Sequence, residues 1–134
     1  LNPSAVVIGS DQVASIDGRC IGKPGDHRAA TAQLRASAGN RVDFYTGLAL
    51  ACHNTSLLES LLVPFSVQFR QLSDTEIENY LQKEQPYDCA GSFKCEGLGI
   101  ALFERMIGED PTALEGLPLI ALSQLLTSAG IRVI

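Results

Sequence analysis

No run of apolar residues in this chain approaches the roughly 18 to 20 positions that a membrane-spanning helix needs. Positive charge is also scarce: ten lysines and arginines face fifteen aspartates and glutamates, for a net charge of −5. That balance excludes a general nucleic-acid polymer binder, which needs a basic face. It leaves room for one small anionic ligand, which needs only a local cationic pocket. The four cysteines at 20, 52, 89 and 95 form no C-x-x-C pair, and no Cys/His set has zinc spacing. They are expected to be reduced thiols of a cytoplasmic protein, not a disulfide framework. A Walker loop is missing, because Gly22-Lys23-Pro24 lacks both the spaced glycines and a Lys-Ser/Thr pair. Ser10 and Ser92 have no readable His/Asp company, so nothing points to a serine hydrolase. The chain opens on Leu1-Asn2-Pro3-Ser4, which is neither a signal peptide nor a methionine start.

What is present fits one domain spanning residues 1–134, with 46% hydrophobic residues. Ala5–Gly9 is expected to be a fully buried strand, central and parallel. Asp17-Gly18 marks a turn inside a small excursion over 13–22. Asp26 can cap a helix over about 27–38, with Ala30, Leu34 and Ala38 on one face and Gly39 closing it. Residues 42–52 and 57–69 predict a long antiparallel hairpin, with Val63, Phe65, Val67 and Phe69 in strict alternation. Ser73 and Glu76 form a capping box for a helix that ends before Gln85-Pro86. A glycine-punctuated loop over 87–99 leads to a strand over 100–107. Pro111 and Pro118 open two more helices, the second with a stripe of Leu119, Leu122, Leu125 and Leu126 ended by Gly130. The order predicts an α/β protein with a mixed sheet and flanking helices. A chain that opens on its most buried strand has too few later elements to cover that strand, so the fold is expected to be incomplete at its N-terminus.

Asp11 follows the apolar run and precedes Gln12. It suits a metal ligand or a base that activates water, and equally a turn or capping aspartate at a strand exit. Lys23, between Gly22 and Pro24, is a preorganised point charge for phosphate or an ordinary solvated lysine. The segment from Asp88 to Gly99 combines glycines, Ser92, Phe93, Lys94 and Glu96, which suits ligand recognition or a plain connecting loop. His27 and His53 lack partners at nucleophile or metal spacing and are expected to be solvated.

Six landmarks together resemble the Maf family of nucleotide pyrophosphatases. They are Gly9-Ser10-Asp11-Gln12-Val13, Gly22-Lys23-Pro24, Tyr45-Thr46-Gly47-Leu48-Ala49-Leu50, Phe69-Arg70-Gln71-Leu72-Ser73, Cys89-Ala90-Gly91-Ser92-Phe93-Lys94-Cys95-Glu96-Gly97 and Gly116-Leu117-Pro118-Leu119-Ile120. They run in family order over nearly the whole chain. Gln12 and Glu96 resemble the subgroup acting on 7-methyl-GTP, whereas the UTP/dTTP subgroup has threonine and glutamine there. Cys95 departs from the serine expected at its position.

The resemblance implies a Maf/ITPase-like fold and hydrolysis of the α–β phosphate bond of a nucleoside triphosphate, assisted by Mg²⁺ or Mn²⁺. It implies Asp11 as proton acceptor and a candidate metal ligand, Lys23 as a phosphate contact, and Gln12 and Glu96 as specificity residues. It also implies that this chain is the C-terminal two-thirds of a family domain, and therefore weakly active or inactive alone. A UTP/dTTP-type pyrophosphatase is the near alternative. A non-catalytic nucleotide-binding module, related to septum formation, is the alternative of another class. The apolar hairpin over 42–69 offers a surface for a homodimer contact.

Overall fold

The computed structural model describes residues 2–134. The chain forms β1 (Val7–Ile16), β2 (Arg19–Ile21), α1 (His27–Ser37), β3 (Arg41–Cys52), β4 (Leu57–Phe69), α2 (Asp74–Glu84), β5 (Phe103–Ile107) and α3 (Leu119–Ser128). Short 3-10 turns at Ala90–Ser92, Leu98–Leu102 and Pro111–Glu115 shape the connections. The strands make one sheet in the order β2-β1-β3-β4-β5.

The α/β class holds, but every strand pairing among the described residues is antiparallel. The parallel, fully buried strand expected at Ala5–Gly9 is therefore corrected twice. β1 runs on to Ile16 and lies antiparallel to β2 and β3. Its first half is also exposed, Val7 by 61%. The polar residues Ser10-Asp11-Gln12 do not break the strand, because a backbone ladder is indifferent to side-chain polarity. Asp11 sits in mid-strand, paired with Gly47.

Local chemistry sets the other ends. Asp26 caps α1 by accepting from the Ala29 amide at 2.8 Å. Ser73 and Glu76 close a reciprocal capping box on α2. The turn at Asp17-Gly18 puts both residues at positive φ, the left-handed geometry a tight hairpin needs. The expected strand at 100–107 begins only at Phe103, because Leu98–Leu102 winds into a 3-10 turn.

Alternation along β3 places Val42, Phe44, Thr46, Leu48, Leu50 and Cys52 on one face, all buried. Helices α1 and α2 cover its first half through Leu34, Ile77 and Leu81. Helix α3 covers the second half with Leu122, Leu125 and Leu126 against Leu48 and Leu50, while Leu119 faces outward. Phe44, Phe69, Phe93 and Phe103 meet edge to face, with centroids 5.0–5.8 Å apart. Such pairs add about 0.5–1.5 kcal/mol each beyond their buried area. The opposite face of the sheet is open, with Leu58 78% and Leu62 62% exposed.

Candidate functional site

β2 pairs with β1 only at Ala14–Ile16, so the stretch Val7–Val13 has β3 on one side and a free edge on the other. Asp11 and Gln12 stand on that edge. Strand alternation sends them to opposite faces. Asp11 joins Gly9, Gly47, Ala49 and Leu62 around a shallow hollow on the open face. Its Oδ1 accepts from the Gln12 amide at 2.9 Å, which orients the carboxylate.

Gln12 points the other way, into a cavity of about 160 Å³. Phe44, Phe93 and Cys89 form its walls, and Gln12, Glu96 and Glu115 supply its polar groups. That volume is below the ~300–1,000 Å³ of a drug-sized site and suits a single ring system. Gln12 Nε2 donates to Thr46 Oγ1 at 2.9 Å and to the Ala113 carbonyl at 2.5 Å. Thr46 donates to the same carbonyl at 3.3 Å, and Ser10 Oγ donates to the Gly116 carbonyl at 2.8 Å. These bonds clamp the 113–116 segment onto β1 and β3. Asp110 secures that segment from behind: its carboxylate accepts from the Thr112 amide and hydroxyl and from the Ile120 amide.

The loop bearing Glu96 is built to hold shape. Phe93 drives into the aromatic core, and Ser92, fully buried at φ 63°, donates to Gln33 Oε1 at 2.5 Å. The Lys94 amide donates to the Tyr80 hydroxyl at 3.0 Å. Gly99 lies so close to the Lys94 carbonyl that a Cβ there would sit 2.2 Å from its oxygen. Burial, with Asp88 alongside, pushes the Cys89 thiol up to about 11. Burial also raises Cys95, and the charges of Glu96 and Glu115 add to the effect. Both thiols are therefore protonated at neutral pH. All four cysteines are free, as expected.

Lys23 is exposed on the loop after β2. Ile21 pairs with Ala14, so the chain returns along β1 toward the level of Gln12. The loop is pinned on both sides of the lysine. The Gly22 carbonyl accepts from Gly91 and from Gln33 Nε2, and the Gly25 amide donates to the Tyr87 carbonyl at 2.8 Å. Topology thus gathers Asp11, Gln12 and the Lys23 loop at one sheet edge, while the cavity joins Gln12 to Glu96.

Residues that sequence reasoning passed over are Thr46, Cys89 and Glu115. Thr46 and Glu115 sat inside or beside quoted landmarks, yet their tie to Gln12 spans a separation no local pattern reports. His27 keeps a partly exposed side chain, as expected of a solvated residue, but it has partners. Its ring nitrogens meet the Tyr87 hydroxyl at 2.9 Å and Glu78 Oε2 at 2.7 Å. Two wider hollows, each about 810 Å³, one around Pro3, Val7, Ala51 and Leu57 and one around Ser123, Thr127 and Val133, contain none of the candidate residues.

No group of three or more His, Cys, Asp or Glu side chains among the described residues is arranged to hold a metal ion. Asp11 offers one exposed hard oxygen ligand. That donor set fits magnesium, which is commonly held by one or two carboxylates and completed by phosphate oxygens and water.

The described residues thus place a ring-sized cavity lined by Gln12, Glu96 and Glu115 on one face of the sheet and the exposed carboxylate of Asp11 on the other. The family profile described as Maf-like protein matches residues 1–129, and the chain belongs to the Maf family. A protein named 7-methyl-GTP pyrophosphatase from Nitrosococcus oceani is 54% identical over 133 residues, which are 99% of this chain and 67% of that protein. Identically named proteins from Nitrosospira multiformis and Albidiferax ferrireducens are 55% and 53% identical, covering 99% and 98% of this chain and 67% and 66% of their own lengths. The chain thus spans about two-thirds of the length of these curated relatives.

Proposed function

We propose that this chain carries the base-recognition and proton-accepting parts of a nucleoside triphosphate pyrophosphatase. The reaction would hydrolyse 7-methyl-GTP to 7-methyl-GMP and pyrophosphate. The observation that carries this reading is the cavity shared by Gln12 and Glu96, opening beside the edge that bears Asp11. Identity above 50% to proteins named for that activity supports the choice of substrate.

The chemistry follows from charge. Guanine presents adjacent N–H donors on its Watson–Crick edge, which one carboxylate accepts as a pair. Methylation at N7 makes the ring cationic, so Glu96 and Glu115 attract it where a neutral amide would not. A charge-assisted contact of this kind is worth about 1.5–3 kcal/mol, roughly ten- to a hundredfold in affinity. The free edge of β1 lets a nucleotide pass from the cavity face to the open face, carrying its phosphates toward Asp11 and Lys23. Asp11 accepts a proton from the attacking water, the new P–O bond forms, and pyrophosphate departs as the α–β bridge breaks. Lys23 offsets charge on the phosphates. A divalent cation on Asp11 would supply further neutralisation of the polyphosphate when bound.

The test is pyrophosphate release from 7-methyl-GTP, GTP and UTP with magnesium. It should be run on this chain and on one extended to the length of its relatives, each with an Asp11→Asn control. The extended protein is expected to prefer 7-methyl-GTP and to lose turnover on substitution. Nucleotide binding without turnover in every case favours the non-catalytic module instead. A preference for UTP favours the sibling subgroup.

A further inference from the structure

We propose that Thr46 is a positioning residue that locks the Gln12 amide, so that the side chains lining the cavity present only hydrogen-bond acceptors to a bound base. The inference rests on the proposed function and deepens it by assigning what sets the polarity of the pocket.

The geometry is closed. A backbone carbonyl can only accept, so the Gln12 atom 2.5 Å from the Ala113 oxygen must be Nε2. Thr46 is fully buried, and its hydroxyl donates to that same carbonyl. Its oxygen is thereby committed to accepting from the second Nε2 proton, at 2.9 Å. Both amide protons are spent on the protein. Oε1 takes no hydrogen bond among the described residues, and Gln12 lines the cavity. The side-chain groups left for a ligand are therefore Gln12 Oε1 and the carboxylates of Glu96 and Glu115, since the Cys89 thiol in the lining donates to Asp88 Oδ1.

An all-acceptor pocket selects a ring rich in N–H donors and positive charge. It disfavours uracil, which offers one N–H donor between two carbonyl acceptors where guanine offers two adjacent N–H donors. A terminal amide torsion is broad and soft when unrestrained. Without the threonine hydroxyl, Gln12 keeps its anchor on the Ala113 carbonyl but its second Nε2 proton loses its partner and is free to donate to a ligand, which would admit acceptor-bearing bases.

The test uses the 134-residue chain and two probes, 7-methyl-GMP and UMP, titrated against wild type, Thr46→Val and Thr46→Ser. Valine keeps the shape and removes the hydroxyl, and serine restores it. The ratio of the two dissociation constants is expected to fall about five- to tenfold in Thr46→Val, the scale of one lost hydrogen bond. It should return to the wild-type value in Thr46→Ser, with thermal unfolding confirming that both variants are folded. Unchanged selectivity in folded Thr46→Val overturns the role of Thr46 and leaves the proposed function standing. Wild type that binds neither probe overturns the functional reading, and this inference with it. Should Thr46→Val not fold, the Gln12 side-chain amide in wild type decides by NMR. Slowly exchanging protons support the lock, and fast exchange overturns it.

Discussion

Asp11 and Gln12 are consecutive in β1, yet they serve opposite faces of the sheet. Asp11 borders a hollow on the open side, and Gln12 enters the cavity that holds Glu96. A strand's period of two makes this separation obligatory, and the unpaired edge beside them makes it useful. The roles proposed for them, base recognition and proton acceptance, should therefore be separable, because the two side chains share no partner except the Gln12 amide.

That independence predicts the outcome of Asp11→Asn. The side chain is exposed and its one hydrogen bond accepts from the next amide, which asparagine can also satisfy. Thermal stability and affinity for 7-methyl-GMP should therefore match wild type. Turnover by the chain extended to its relatives' length should fall by about 10²–10⁴, the usual contribution of a positioned base. A variant that keeps its rate would remove Asp11 from proton transfer.

Glu96→Gln should act on the other half. The substitution removes one negative charge from the cavity and leaves Glu115 in place. Preference for 7-methyl-GTP over GTP, measured as the ratio of kcat/KM values, is expected to drop roughly tenfold or more. The drop should appear mainly in KM, because Glu96 faces the base and not the scissile bond. Equal ratios in both proteins would place recognition elsewhere.

Helix and hairpin boundaries were legible because their signals are local. Asp26, the Ser73/Glu76 pair and the alternation of β4 each act within a few residues. The open face was not legible. Apolar residues such as Val7 and Leu62 look alike whether or not another element covers them. Reading Asp11 as a strand-exit residue came from treating polarity as a stop, although the ladder continues through it to Ser15. The role proposed for Gln12 came only from resemblance, whereas Glu96 also stood out in the glycine-rich loop. The bonds that orient them join Gln12 to Thr46 and Ala113 across 34 and 101 residues, and no spacing rule reaches that far.

Asp110 supports the cavity from outside it. Its carboxylate is buried and accepts from two backbone amides and one hydroxyl, joining the turn before α3 to the first turn of α3 itself. Asp110→Ala removes the acceptor from three part-buried donors, at about 1–3 kcal/mol. Urea denaturation should show a lower midpoint with an unchanged slope. Because the same segment presents the Ala113 carbonyl and Glu115, affinity for 7-methyl-GMP should weaken in the folded fraction as well. A stable variant with altered affinity would make Asp110 a site residue, not a structural one.

Asp43 sets a pH dependence with a definite sign. The Ser66 hydroxyl donates to its carboxylate at 2.6 Å, and Arg41 Nε donates at 2.8 Å. The Ser66 bond is the larger cause of a folded-state value held below the ordinary carboxylate range, and Arg41 adds to it against the opposing effect of burial. A depressed value means that the folded state binds the proton less readily than the unfolded chain does. The stabilisation is therefore complete above the unfolded value of about 4 and drains away as pH falls through the lower folded value. Wild type and Asp43→Asn should differ most in unfolding free energy at neutral pH and converge in acid, once the pH lies below the depressed folded-state value. Ser66→Ala should narrow the gap at neutral pH, since it removes the leading cause of the shift. A gap that widens on acidification would reverse the sign and assign the acid sensitivity to other carboxylates, of which Glu76 and Glu78 are also held low by their hydrogen bonds.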